Sequence, residues 1–134
     1  MTKHKTYIII NSQNSELKKI IRHILIMVIL YKNKKTEKLC SDFGEMKKFF
    51  SSALTAQKLA LLMTSLKNVD HISDFANLPI FKKYRYHELQ GDKKGIHSLS
   101  IDYSYRMTLI VEVLGKIDGE DTIRILEVTN HYGD

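Results

Sequence analysis

The chain has 134 residues, 27% of them charged and 43% hydrophobic, which is ordinary for one globular domain with a core of its own. Its single cysteine excludes an intrachain disulfide and fits a reducing cytoplasm, and its longest uninterrupted apolar run, residues 24–31, is too short to cross a bilayer. A net charge of +6 favours an anionic partner: nucleic acid, a ribosome, a membrane surface or an acidic protein.

Residues 1–26 are predicted to be an extension, and residues 27–134 one domain. The run YIII could form a strand, and Ser15 could cap a helix with an apolar stripe at Leu17, Ile20, Ile21, Ile24 and Leu25. That stripe needs a cover. Packing on the chain's own domain, on a partner or on a second copy are all open, as is a translation start at Met27.

The domain begins with a predicted strand, MVILYK, followed by two predicted helices. Thr36 is placed to cap a helix with Leu39, Phe43, Met46 and Phe50 at helical spacing. Thr55 is placed to cap a second helix, whose apolar positions are Leu59, Leu62, Met63, Leu66 and Val69. Both stripes indicate core packing, and Cys40 is predicted to be a buried, unreactive thiol.

After Pro79 the chain changes to short segments rich in β-branched and aromatic residues. Strands are predicted over residues 84–89, 96–103, 105–113 and 122–129, punctuated by glycines. In the third strand the odd positions from Tyr105 to Val113 are apolar and would pack on the helices, so Arg106 would project from the opposite face. The sequence therefore predicts an α+β fold in which helices cover one face of a mainly antiparallel sheet.

Two stretches carry a resemblance to a known family: KYRYHELQGDKKGIHSLSIDYSYRMTLIVEV and IRILEVTNHYGD. A His-x-Leu-x-Gly-Asp segment with lysines, at residues 87–94, precedes a strand; Tyr105-Arg106 opens the next strand, and His131-Tyr132-Gly133 closes the chain. In order and spacing these motifs resemble the HigB branch of the RelE/ParE toxin superfamily. The resemblance covers residues 27–134, and residues 1–26 depart from it.

This resemblance implies a RelE-like fold, with an N-terminal strand and a helical hairpin on the sheet, and a toxin of a toxin–antitoxin system. It implies an mRNA interferase that cleaves messages on the ribosome. It also implies a HigA-like antitoxin with a helix-turn-helix domain, so that DNA is met only through that partner. No cofactor, metal or membrane is expected, and the location is cytoplasmic.

Metal-free RNA cleavage needs a base for the 2′-OH, fixed positive charge for the phosphorane, and an acid for the leaving 5′-oxygen. Histidine suits the proton steps and arginine the phosphate. The family match therefore assigns catalytic roles to His87, Arg106, His131 and Tyr132. The RNA contacts are predicted to be Lys82, Lys83, Arg85, Lys93, Lys94 and His97, with Phe81, Tyr84 and Tyr86 as stacking surface.

Some positions have a second interpretation. Arg106 could form a salt bridge with Glu112 or Glu127, and His97 could be structural. The family's lysines on the strand before the aromatic-Arg pair are missing from IHSLSID, which favours histidine chemistry. Two other functions stay open: a ParE-like gyrase inhibitor on the same fold, and a non-catalytic RNA-binding or ribosome-associated protein. Codon preference and oligomeric state cannot be predicted from the sequence.

Overall fold

The computed structural model of the protein describes residues 27–77, 80–89, 91, 95–102 and 107–130. The predictions for residues 1–26 lie outside these residues. The elements in chain order are β1 Val28–Tyr31, α1 Lys34–Ser41, α2 Phe43–Phe50, α3 Ala53–Lys67, α4 Asp74–Asn77, α5 Ile80–Lys83, β2 His87–Glu88, β3 Ile96–Asp102, β4 Met107–Ile117 and β5 Glu120–Thr129. Among the helices of this part of the chain, none combines the length and the apolar character that crossing a membrane requires.

The strands form one five-stranded sheet in the order β1-β5-β4-β3-β2. β1 runs parallel to β5, and the other three pairings are antiparallel. The helices cover one face of this sheet and enclose the core between the apolar side of α3 and alternate positions of β3, β4 and β5. This α+β arrangement confirms the predicted fold class.

Alternation in β4 follows the prediction. Leu109 and Val111 are buried in the core, and Met107 and Val113 pack against it. Ile110, between them, lies on the opposite face of the sheet, which we call the outer face. Ile110 is nevertheless only 1% exposed, so the outer face is covered at that point.

The first predicted helix is two helices, because Asp42 interrupts it. Asn33 rather than Thr36 caps α1: its Oδ1 accepts a 2.8 Å hydrogen bond from the Thr36 backbone N–H. Asp42 has extended backbone angles, ends α1 and caps α2 through the Glu45 N–H. Short Asx side chains satisfy the free N–H groups of a helix start well. Asn33 therefore caps α1 in place of Thr36, and Asp42 caps α2.

The predicted cap of the next helix is also wrong, for a tertiary reason. Ser52 caps α3, with its Oγ accepting from the Thr55 N–H at 3.2 Å. The Thr55 hydroxyl instead donates to the buried Asp102 carboxylate at 2.9 Å, and Lys58 Nζ lies 3.4 Å from the same oxygen. These contacts tie the start of α3 to the end of β3.

Only a third of the strand predicted over residues 84–89 is strand; Tyr84 and Arg85 form a turn, and Tyr86 and Leu89 are irregular. Residues 80–83 form α5, and only His87 and Glu88 pair with β3. The rings of Phe81 and Tyr84 are 1% and 6% exposed and belong to the core, so the prediction that they offer RNA a stacking surface is wrong. The two are three residues apart, which places both on one side of a helical turn.

The last hairpin is longer than predicted. β4 continues to Ile117, and Gly115 lies inside it at an irregularity in the pairing with β5. Asp118 and Gly119, with φ of 52° and 80°, form the two-residue turn. Asp-Gly suits such a turn because both positions need positive φ.

Candidate active site

His87 is exposed on the short edge strand β2, directly opposite Ser98 of β3. Its Nδ1 lies 2.9 Å from the Arg85 carbonyl oxygen, which can only accept, so Nδ1 carries the hydrogen. The Ser98 hydroxyl oxygen lies 3.0 Å from Nε2 and 3.2 Å from Nδ1. In the neutral ring Nε2 therefore holds the lone pair, and the similar distances from the two nitrogens place the hydroxyl oxygen beside the ring edge between them.

Ser98 is a partner that sequence reasoning missed. A hydroxyl both donates and accepts, so it can donate to a neutral Nε2 or accept from a protonated one. Either protonation state of His87 is therefore compatible with a hydroxyl at this position, and the exposed ring can exchange a proton with a substrate. The signal available in the sequence was the alternation in IHSLSID, which places Ser98 on the face opposite Leu99.

His97 lies on the other face of the sheet from His87. It is 9% exposed, pairs with Val111 of the core, and its Nδ1 lies 2.7 Å from the Tyr86 hydroxyl. The two rings are nearly parallel, at 12°. Burial lowers the pKa of His97, with a smaller contribution from His87, although the nearby Glu88 carboxylate raises it. This interior position favours the structural role that the sequence had left open.

The cations Lys82, Lys83 and Arg85 are all exposed around the end of α5. The Arg85 N–H donates to Lys82 O at 3.0 Å, and the Tyr86 N–H donates to Phe81 O at 3.3 Å. This pair of bonds is a Schellman closure, which usually has glycine where Arg85 stands, because the residue there takes positive φ. Arg85 adopts φ of 52°. The arginine is thus held in a conformation that strains its backbone.

Two hydrogen bonds join the ends of the loop between β2 and β3, which contains Lys93 and Lys94. Glu88 Oε2 accepts from the Gly95 N–H at 3.0 Å, and the Leu89 N–H donates to Ile96 O at 2.8 Å. Gly91 and Gly95 both take positive φ, 74° and 86°. Lys93 and Lys94 themselves lie outside the described residues, so their RNA contacts stay a prediction.

Arg106, His131 and Tyr132 also lie outside the described residues. The strands beside them are described: Arg106 directly precedes β4, and His131 follows Asn130 just beyond β5. Thr108 pairs with both Ser100 and Thr129, which brings the start of β4 and the end of β5 side by side. This row lies two residues along the strands from the row that joins His87, Ser98, Ile110 and Glu127, with the row of Leu99, Leu109 and Val128 between them.

Glu112, one of the salt-bridge partners considered for Arg106, has a different cation beside it. Arg124 of β5 pairs with Glu112 across the outer face, with Nη1 2.9 Å from Oε1. The sequence reasoning missed Arg124, although the alternation in TIRILEV places it on that face. Because Arg124 offsets the negative charge of Glu112, the electrostatic attraction between Glu112 and a second cation such as Arg106 is weaker.

Two further predictions concern cysteine and metal. Cys40 is 1% exposed, as predicted, and burial raises the pKa of its thiol to about 12, despite an opposing effect of Lys67. Such a thiol stays protonated and is a poor nucleophile. Within the described ranges, no group of three histidine, cysteine or acidic side chains is arranged to hold a metal ion.

No protein-family model and no curated protein sequence matches this chain. Among solved structures, it is similar to a chain of the E. coli DinJ–YafQ toxin–antitoxin complex, with a TM-score of 0.50 at 20% identity over 80% of this chain and 94% of that one. It is also similar to a YoeB/ParE toxin from Agrobacterium tumefaciens, with a TM-score of 0.49 at 18% identity over 79% of this chain and 100% of that one. The chain has the fold of the RelE/ParE toxins.

Proposed function

We propose that this protein is the toxin of a toxin–antitoxin pair and that it cleaves mRNA on the ribosome. The observation that carries the proposal is its fold, which it shares with a chain of a toxin–antitoxin complex over nearly the whole of that chain. The exposed His87 and the cations around α5 support an RNA-directed activity. The HigB-like sequence motifs support the same class of function.

In the proposed reaction the 2′-oxygen of the message attacks the adjacent phosphorus. The O2′–P bond forms and the P–O5′ bond breaks, leaving a 2′,3′-cyclic phosphate and a 5′-OH. One proton leaves the 2′-OH, and one is delivered to the 5′-oxygen. No external reductant, oxidant or cofactor enters this balance.

The proton steps fall to His87 and His131, in an order that we leave to experiment. His87 has the required exchangeable site, because Nδ1 is committed to the Arg85 carbonyl and Nε2 faces the Ser98 hydroxyl. A 2′-OH would compete with Ser98 for that lone pair or pass its proton through the hydroxyl. Tyr132 would stack on a base or donate its phenol proton.

Charge stabilisation falls to Arg106, whose planar guanidinium can donate two parallel hydrogen bonds to the phosphorane oxygens. The lysines and Arg85 around α5, with Lys93 and Lys94, would hold the RNA backbone or ribosomal RNA. Binding to the phosphate backbone by such cations weakens as salt rises. In this proposal, residues of the chain supply the base, the acid and the positive charge that cleavage requires.

The partner proposed for this toxin is a HigA-like antitoxin with a helix-turn-helix domain, so contact with DNA would be indirect. The likeness to a chain of the DinJ–YafQ complex supports a protein antitoxin, and the sequence resemblance supports its type. With an antitoxin and the ribosome as partners, the proposed activity is cytoplasmic.

Primer extension on programmed ribosomes tests the proposal. The purified chain should produce new message ends that keep a fixed position relative to the ribosomal A site, and it should cut the same RNA poorly without ribosomes. Arg106→Ala serves as the matched inactive control. No new ends from a correctly folded protein would refute the proposal.

Expression of the protein in bacterial cells distinguishes the alternative functions. A gyrase inhibitor would induce DNA damage signalling and leave messages intact. A non-catalytic binder would associate with ribosomes to the same extent after loss of Arg106 or His131.

A further inference from the structure

A groove of about 560 Å³ runs between α3 and the turn that follows α5, on the helix side of the sheet edge. Its floor includes Tyr84 and Ile101, both almost completely buried, and the backbone around them is fixed by a bond from the Ser100 N–H to Tyr84 O. One wall is α3 and the other is the Schellman turn at Arg85. The groove is therefore built from rigid elements.

The α3 wall exposes two leucines. Leu54 and Leu61 are 62% and 60% exposed, the highest fractions among the large hydrophobic side chains of the described residues. They are seven residues apart, so they lie on one side of α3, about 10 Å apart along its axis. Burying the exposed part of these two leucines would stabilise a complex through the hydrophobic effect.

The rim of the groove is basic. Lys58, Lys83 and Arg85 line it, and among the described residues that line the groove none is acidic. Lys58 Nζ lies 3.4 Å from the Asp102 carboxylate, which offsets part of its charge, and Lys83 Nζ lies 5.4 Å from the centre of the Tyr84 ring at the floor of the groove. Arg85 adds its charge from a strained backbone position.

We propose that this groove binds a segment of a partner protein that carries both apolar and acidic side chains. The apolar side chains would lie between Leu54 and Leu61, and the carboxylates would pair with the rim. An amphipathic helix meets both requirements, because it presents residues at i, i+4 and i+7 on one side.

Other occupants fit the groove less well. RNA gains from charge and from stacking on exposed rings, and the two leucines offer neither. Residues 1–26 have an apolar stripe but carry five lysine or arginine residues (Lys3, Lys5, Lys18, Lys19, Arg22) against one acidic residue, Glu16, and would be repelled by the rim. A second copy of the chain, with a net charge of +6, meets the same repulsion.

Lys83 and Arg85 of the rim also belong to the proposed RNA-binding surface, so a bound segment would compete with RNA for them. The inference does not require RNA cleavage, because neither leucine belongs to the proposed cleavage site. The groove proposal can therefore be wrong while the proposed RNA cleavage is right, and the proposed RNA cleavage can be wrong while the groove proposal is right. Leu61→Asp should weaken segment binding about tenfold or more and leave cleavage on programmed ribosomes unchanged.

A peptide selection tests the groove with the full chain as the target. Random peptides of about 16 residues, long enough for a helix of ~24 Å, are displayed on phage and selected on the wild-type protein. The enriched peptides are then synthesised with a fluorophore, and their Kd is measured by anisotropy. Enriched sequences should combine apolar residues at helical spacing with aspartate or glutamate.

Three variants locate the binding. Leu61→Asp and, independently, Leu54→Asp should each weaken the selected peptides about tenfold or more, which corresponds to about 1.4 kcal/mol. Ile117→Asp is the matched control, because Ile117 is a 44% exposed apolar residue at the far end of β4. Circular dichroism checks that each variant is folded. If one leucine variant does not fold, the other still tests the groove.

The outcomes are distinct. Selected peptides that bind the leucine variants as well as wild type, or that lack acidic residues, would overturn the proposal. Displacement of a selected peptide by a synthetic peptide of residues 1–26 would assign the groove to the chain's own extension. If an RNA oligonucleotide displaces a selected peptide, and its own binding is unchanged by Leu61→Asp, the groove would be assigned to RNA.

Discussion

Replacing Arg85 by glycine should raise the stability of this protein while it lowers the action on RNA. Arg85 stands at the left-handed position that closes α5, with φ of 52°. Two backbone bonds fix this conformation, from the Arg85 N–H to Lys82 O and from the Tyr86 N–H to Phe81 O. Glycine adopts the same angles without the clash of a Cβ atom.

The size of the stability gain follows from two opposing contributions. A non-glycine residue in the left-handed region costs about 1–2 kcal/mol in the folded state. Glycine also lowers the free energy of the unfolded chain, by about 0.4–1 kcal/mol. The net gain in the free energy of unfolding is about 1 kcal/mol, which for a domain of this size raises Tm by about 4 °C.

RNA cleavage should change in the opposite direction. A charge-assisted hydrogen bond to phosphate contributes about 1.5–3 kcal/mol, so its loss should reduce cleavage at low ribosome concentration by about tenfold or more. Asp118→Gly is the matched control, because Asp118 has the same φ of 52° in a hairpin turn far from His87. Its Tm should rise less, since aspartate tolerates this conformation better, and cleavage should be unchanged.

Thermal unfolding followed by circular dichroism and primer extension on programmed ribosomes give the two readouts. A fall in Tm for Arg85→Gly would show that side-chain contacts of Arg85 outweigh the backbone strain. Unchanged cleavage, in an assay where Arg106→Ala is inactive, would remove Arg85 from the RNA-binding surface.

Four further predictions address the site and its support. Arg106→Ala should lower cleavage about 100-fold or more without changing Tm, and Arg106→Lys should restore only part of it; full toxicity at equal expression would place the site elsewhere. Ser98→Ala should lower cleavage about fivefold and change the pH profile, whereas Ser98→Thr keeps the hydroxyl and should restore both; an unchanged profile would separate Ser98 from His87. Burial lowers the pKa of His97, so below its ordinary value of 6.5 the unfolded chain binds a proton that the folded chain does not. Stability in urea should therefore fall as the pH drops below 6.5, and His97→Gln should lessen that fall. Burial tends to raise the pKa of Asp121, but hydrogen bonds from Lys116 and the Ile72 N–H and the charges of Lys116 and His71 lower it overall, so its contribution to stability is present above 3.8 and is lost as the pH falls below that value. Asp121→Asn should cost about 1–3 kcal/mol in urea unfolding at neutral pH and much less in acid; an equal loss at both would rule out a role for the charge.

The sequence predicted the fold class and the helix-facing positions of β4, because alternation over a long strand is a strong signal. It did not predict the helix caps. Several residues near each helix start can cap it, and tertiary contacts decide among them. Thr55 is the example, since its hydroxyl bonds to Asp102, 47 positions away in the chain.

The prediction that the aromatic rings of FKKYRY are exposed was wrong for a different reason. Six residues are too few to separate a period of two from a period near three and a half. Read as a strand, the segment exposes its aromatic rings; folded as helix and turn, it buries Phe81 and Tyr84 in the core. Lys82, Lys83 and Arg85 are exposed, and their contact with RNA stays a prediction.

The Arg85 turn connects the proposed site to the proposed groove through one residue. Its carbonyl accepts from His87 Nδ1 and so fixes which nitrogen of that ring carries the lone pair, whereas its side chain lines the groove. The first contact belongs to the backbone and the second to the side chain. A change of side chain at this position therefore removes charge and leaves the His87 tautomer in place, provided that the positive φ is kept. The strained angle is what lets one short turn both orient a histidine on the outer face and hold a cation at the opposite side of the sheet edge.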